Sequence, residues 1–138
     1  KTVEALPHLV SEALANKTYA EGKWTVKDII LHLIDVERVF SYRALCIARG
    51  DISNLPGFDQ DLFVNKGEAN TRTLTSLIEE YIIVRKATIS LFESFNEEAL
   101  KLIGTASDSK ISVRALGFII SGHQKHHFEL INTRYLHL

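Results

Sequence analysis

The sequence predicts an all-α protein built as a helix bundle, and three observations carry that expectation. The 138 residues include only two prolines and no strongly alternating segments, so the helical period dominates. Three long stretches each gather their apolar residues on one stripe when every residue advances about 100°. Two of those stretches open on side chains suited to capping a helix.

The elements follow in chain order. Lys1 to Leu6 reads as the tail of a longer helix ahead of this sequence, which starts without Met, and Ser11 to Asn16 as a short helix. The first long helix is expected from Thr25 to Arg49. Thr25 and Asp28 form a capping-box pattern, and Gly50 closes the helix. Its stripe is Val26, Ile30, Leu33, Phe40, Ala44 and Ile47. The second runs from Thr73 to Phe95, with Leu74, Leu77, Ile78, Tyr81, Thr88, Phe92 and Phe95 on one side. Asn96 caps a short turn, "EEALKLI", that Gly104 ends. The third runs from Val113 to Tyr135 behind an N-cap at Ser112, with Val113, Leu116, Ile120 and Ile131 as its stripe. Three such helices are marginal alone, and a fourth ahead of Lys1 would complete a four-helix bundle.

Composition fits one domain over residues 1–138. Hydrophobic residues at 46% supply one core, and 24% charged residues keep its surface wet. A net charge of −1 offers no broad attraction to nucleic acid or anionic membrane. No apolar run approaches the roughly 18 residues that span a bilayer. The single Cys46 rules out an internal disulfide and fits a reducing, cytoplasmic setting.

Between the first two long helices lies "GDISNLPGFDQDLFVNKGEAN". A connection of that length either lays Phe58 and Phe63 along the side of the bundle or covers a site as a lid, with Asp59 and Asp61 on it.

Some residues break the apolar pattern. "SGHQKHHFEL" puts His123 and His127 four apart beside the core stripe, while His126 points about 100° away. An H-x-x-x-H pair presents two imidazole nitrogens to one transition ion, and a third ligand would come from another helix. His32 suits that role, because it lies early in the first long helix and meets the pair if those helices pack side by side. His8 and His137 are poorer candidates. Cys46 lies 14 positions beyond His32, about 21 Å along the helix, too far to share an ion. The competing reading is a set of hydrogen-bonded core histidines. His126 is a surface residue, a partner to a neighbouring helix, or an alternative ligand.

Glu37 and Arg85 each sit in the middle of an apolar stripe. Burying either charge alone costs several kcal/mol, so they are expected to pair across the bundle. Glu37 could alternatively serve as an acid or base near the histidines. Asp28 and Asp35 flank His32 on its own side of the helix and could orient its ring, or simply cap and solvate.

The segments "GKWTVKDIILHLIDVERVFSYRALCIARGD", "LPGFDQDLFV", "RKATISLFESF" and "SVRALGFIISGHQKHHFELINTRY" together resemble the DinB/YfiT-like superfamily, nearest its DinB-like subgroup, over Ala20 to Tyr135. The resemblance implies a four-helix bundle, often dimeric, with a three-histidine metal site. Its ligands correspond here to His32, His123 and His127. Members of the superfamily are described as transferases or isomerases using low-molecular-weight thiols, or as metal-dependent hydrolases. The expectation is therefore a metal-dependent enzyme, with zinc or nickel, acting on a small molecule by thiol S-transfer or hydrolysis. Glu37 would be the general base of the hydrolytic version. The rival expectation is a non-catalytic, dimeric metal- or ligand-binding bundle. The family name invites a nucleic-acid role, but no basic patch with interleaved aromatics supports one.

Overall fold

The computed structural model describes residues 5–138. The helix tail expected over Lys1 to Leu6 falls mostly outside them, and nothing described bears on a helix ahead of Lys1. Two short helices come first, α1 (Leu6–Leu9) and α2 (Glu12–Ala15). The three long helices appear where the periodicity put them, as α3 (Val26–Ala48), α5 (Leu74–Glu93) and α7 (Val113–Arg134). Between them lie α4 (Gln60–Gly67) and α6 (Glu97–Lys101). None of the described helices is long and apolar enough to cross a membrane.

The starts of the helices are chemically specified. Thr25 and Asp28 close a full capping box: Asp28 N–H donates to Thr25 Oγ1 at 3.1 Å, and Thr25 N–H to Asp28 Oδ2 at 3.0 Å. Thr73 Oγ1 accepts from Ser76 N–H at 3.1 Å at the head of α5. The Glu12 carboxylate also accepts the orphan N–H of Leu74 at 3.0 Å while pairing with the buried Lys27, which ties α2 to both α3 and α5. Ser112 Oγ accepts from Ala115 N–H at 3.1 Å to open α7.

The all-α expectation needs one correction. A small sheet orders β1 (Asn54–Leu55), β2 (Ile103–Ala106) and β3 (Ser109–Ser112), with β1 parallel to β2 and β2 antiparallel to β3. The hairpin turns through Ser107 and Asp108, both at positive φ (49° and 66°), which matches the twist of a two-residue hairpin. Asn54 holds that turn, donating to Asp108 Oδ1 at 2.8 Å and accepting from Asp108 N–H at 3.2 Å. β2 comes so close to α3 that a Cβ on Gly104 would stand 2.4 Å from Ile47 Cγ1.

α3 is the central helix and packs against both α5 and α7. Two hydrophobic clusters fill the bundle. One joins the first half of α3 to Leu77, Ile78, Tyr81, Phe128, Ile131 and Tyr135. The other joins Ala44 and Ile47 to Leu55, Phe95, Ala106, Val113 and Leu116 beneath the sheet. Between them runs a polar layer. Arg85 donates to both Glu37 oxygens, Nε to Oε1 at 2.7 Å and Nη2 to Oε2 at 3.0 Å. One helical turn on, the Ser41 and Thr88 hydroxyls meet at 3.2 Å.

The long connection between α3 and α5 is ordered structure. Asp59 caps α4 by accepting from Asp61 and Leu62 N–H, each at 3.0 Å. The Phe58 and Phe63 rings lie 5.0 Å apart beside α3, as one of the two expectations had it. Beyond α4 a short 3₁₀ turn, Ala69–Thr71, carries Asn70 back to the head of α3. There Asn70 accepts from the Thr25 hydroxyl at 2.7 Å and donates to Asp28 Oδ1 at 3.0 Å.

Candidate metal centre

α3 and α7 pack side by side, so His32 meets the His123 and His127 pair. His32 is 3% exposed, and the other two are half-buried. His123 Nε2 lies 3.1 Å from His32 Nε2 and 3.1 Å from His127 Nε2. One ligand atom from each ring falls within 4.8 Å of the others.

The histidine geometry is unsatisfying for the rings alone. A neutral imidazole carries one N–H, so three mutually facing nitrogens cannot all be well paired by their own hydrogens. Protonation offers no escape, because burial takes water from the charged form. His32 is pushed down to about 4, first by burial and then by the neighbouring His123. His127 is pushed down to about 3 by burial, then by His123, His32 and His126. His123 is lowered for the same leading reason. Near pH 7 the three rings are therefore neutral and their lone pairs converge, which is the donor set a transition cation takes. Nitrogens bound at about 2.1 Å to one tetrahedral ion stand roughly 3.4 Å apart, a little wider than the two contacts of 3.1 Å.

The surroundings brace the rings. Trp24 lies against His32 with centroids 4.8 Å apart. The Tyr135 hydroxyl donates to the Trp24 carbonyl oxygen, locking the end of α7 to the turn before α3. Tyr19 meets Tyr135 edge-on at 5.3 Å. His127 Nδ1 is buried without a hydrogen-bond partner among the described residues, so the contact of its Nε2 with His123 and ring packing set that side chain's direction. His126 is exposed and reaches the group only through an edge contact with His127, centroids 5.2 Å apart. His8 and His137 are exposed and stand outside the group.

The carboxylates expected near the site do other work. Asp28 gives one oxygen to the capping box and the other to Asn70. Asp35 is raised, by burial first, and no described hydrogen bond joins it to His32. Glu37 has both oxygens on Arg85, so the pairing role is the observed one; acting as a base would require freeing an oxygen that these bonds occupy.

A cleft of about 280 Å³ opens beside His127. Its walls include Lys23 and Trp24 from the turn before α3, Asp61 from α4, and Tyr19 and Tyr135. Sequence reasoning gave none of these a place at the site except Asp61, and that only as part of a possible lid. Their common signal is position: Tyr19, Lys23 and Trp24 crowd the irregular stretch just before the Thr25 cap.

Fold and site together define a helical bundle with a group of three converging histidines between two of its helices. A model of the DinB superfamily matches residues 1–131, and the chain belongs to that superfamily. It is 29% identical over 126 residues to OB0413 of Oceanobacillus iheyensis, named as a candidate metal-dependent hydrolase; the match covers 90% of this chain and 71% of that protein. Its fold is similar to that of YfiT from Bacillus subtilis, with a TM-score of 0.71 over 94% of this chain and 82% of the other. YfiT is described as a candidate metal-dependent hydrolase with an unusual four-helix-bundle topology, and at 16% identity the likeness shows the fold alone.

Proposed function

We propose that the protein is a metal-dependent enzyme that hydrolyses a small molecule, with His32, His123 and His127 holding a divalent transition ion, zinc or nickel. The observation that carries this is the convergence of three neutral imidazole nitrogens, with His123 Nε2 at 3.1 Å from both neighbours, beside an open cleft. Such an ion, held by three protein nitrogens, keeps a position for water and lowers its pKa toward about 7. The chain's own residues supply the rest. Trp24 covers His32 and keeps solvent from that side. His127 borders the cleft, so a substrate entering there arrives next to the ligand group. The description of OB0413 supports hydrolysis over thiol transfer, which would place a thiolate where hydrolysis places water.

The test is metal content by mass spectrometry, on protein purified without a metal-binding tag. Wild type is compared with His32→Ala, His123→Ala and His127→Ala, and each sample is assayed against ester, amide and thiol-transfer panels with and without chelator. Near-stoichiometric metal in the wild type, lost in all three variants, with chelator-sensitive hydrolysis, is the expected result. Turnover confined to the thiol panel would replace hydrolysis by S-transfer. No metal after zinc, nickel and iron are offered at neutral pH would overturn the proposal in favour of a non-catalytic binding bundle.

A further inference from the structure

The cleft beside His127 carries one cation and one anion, and neither is used by the fold. Lys23 and Asp61 both line it and both are exposed. The described ion pairs and hydrogen bonds give the Lys23 ammonium no partner, and they involve Asp61 only through its backbone N–H. Charged residues on a wall normally pair or point to bulk water. Here two residues of opposite charge line one small space from two different elements, beside the apolar Ile29 and Leu130.

Those elements are held in place. Lys23 follows Gly22, whose φ of 73° makes the turn, and precedes Trp24, pinned through its carbonyl by Tyr135. Asp61 lies in the first turn of α4, and α4 is fastened at its other end. A Cβ on Gly67 would meet Leu31 Cδ2 at 2.3 Å, and Asn70 is bonded to Thr25 and Asp28. The two residues are thus held on a braced frame, and Trp24, which lines the same cleft, packs against His32.

We infer that the cleft selects a small zwitterionic substrate of dipeptide size. Lys23 takes its carboxylate, Asp61 takes its ammonium, and the bond between those groups lies toward His127. The size follows from the volume of about 280 Å³, at the low end for ligand sites. The signs follow from the two side chains. Both rim contacts are exposed, so each contributes modestly to affinity and mainly sets selectivity and orientation. The inference rests on the proposed site for its chemistry, but the charge recognition needs no metal.

Trp24 is the only tryptophan in the chain and lines the cleft, so its fluorescence reports occupancy directly. The experiment titrates L-alanyl-L-alanine, N-acetyl-L-alanine (anion only) and L-alaninamide (cation only) into wild type, Lys23→Gln and Asp61→Asn. Each protein is measured metal-free and zinc-loaded, with zinc content determined by mass spectrometry and folding checked by thermal melts. The expected result is tightest binding of the dipeptide to wild type, weakened about threefold to fivefold by either substitution. Lys23→Gln leaves the alaninamide affinity unchanged, and Asp61→Asn leaves that of acetylalanine unchanged. Dipeptide affinity equal to that of the singly charged probes, affinities unmoved by both variants, or no response up to tens of millimolar would each overturn the inference. A charge-dependent dipeptide response in protein that takes up no zinc would sustain the inference while removing zinc from the metal reading. Zinc uptake without any dipeptide response would do the reverse.

Discussion

Replacing Arg85 by Met tests the polar layer at the middle of the bundle. The two partners are unequally placed: the Glu37 side chain is 2% exposed and the Arg85 side chain 25%. Arg85→Met therefore strands a carboxylate that cannot reach water, whereas Glu37→Gln leaves a guanidinium that can. A stranded charge has one escape, which is to take up a proton. For an ordinary glutamate with a value near 4.3, protonation at pH 7 costs about 2.7 × 1.36, or roughly 3.7 kcal/mol. That cost sets the scale of the penalty and falls within the ~3–5 kcal/mol typical of a broken buried pair. Unfolding entropy of about 2.1 cal/mol/K per residue over 138 residues gives roughly 0.29 kcal/mol/K, so it corresponds to a Tm drop of about 13 °C. The cost shrinks with acid, because the folded variant then binds a proton that the unfolded chain does not. At pH 5.5 it is about 1.6 kcal/mol. The assay is thermal and urea denaturation of wild type, Arg85→Met and the double variant Glu37→Met/Arg85→Met at pH 7 and pH 5.5. The single variant is expected to lose about 10–13 °C at pH 7 and less than half of that at pH 5.5, and the double variant to recover most of the loss. A single variant within about 3 °C of wild type at pH 7, or a double variant no better than the single, would show that the pair does not hold the bundle as described.

The histidine cluster makes acid sensitivity a second outcome to check. The folded-state values of His32 and His127, about 4 and about 3, lie below the unfolded value near 6.5. Their contribution is therefore fully present above pH 6.5 and is lost as pH falls toward those values, as the unfolded chain takes up protons first. For the buried His32 the loss from pH 7.5 to pH 5 is about 2 kcal/mol, measured by urea denaturation of chelated protein; stability that rises over that interval would contradict the neutral cluster. At the other end of the molecule, Gly104→Ala drives a methyl into Ile47, whose Cγ1 and Cδ1 stand 2.4 and 2.8 Å from the new Cβ. Ile47 is 2% exposed and has little room to move, so a loss of about 2 kcal/mol is expected in denaturant melts, and a neutral result would show that the sheet can lift off α3.

What could be read from the chain depended on whether the signal was local. His123 and His127 announce themselves because four residues on a helix return to one face, and Glu37 and Arg85 because a charge inside an apolar stripe demands a partner. His32 needed one more step, the assumption that α3 and α7 are neighbours, which the packing supports. The sheet gave no such signal. Ile103–Ala106 contains a glycine and small side chains without alternation, its turn uses Ser107 and Asp108 where glycine would be diagnostic, and its parallel partner is a dipeptide about 50 residues earlier. α4 was hidden for a similar reason. Its eight residues are too few for periodicity to speak, and only the Asp59 cap marked it.

The cleft belongs to this second group. Lys23 and Asp61 become neighbours of one space only after Asn70 ties the end of the connection to Thr25 and Asp28. The three histidines sit on long helices whose geometry follows from a repeating pattern, while the cleft walls come from turns and a short helix positioned by a few hydrogen bonds. Changes confined to the stretch from Tyr19 to Trp24, or to α4, can therefore alter what enters the cleft without moving the nitrogens of the cluster. A bundle arranged this way keeps one histidine cluster while its irregular segments vary around it, which is why the cluster can be read from the helical repeat and the cleft walls cannot.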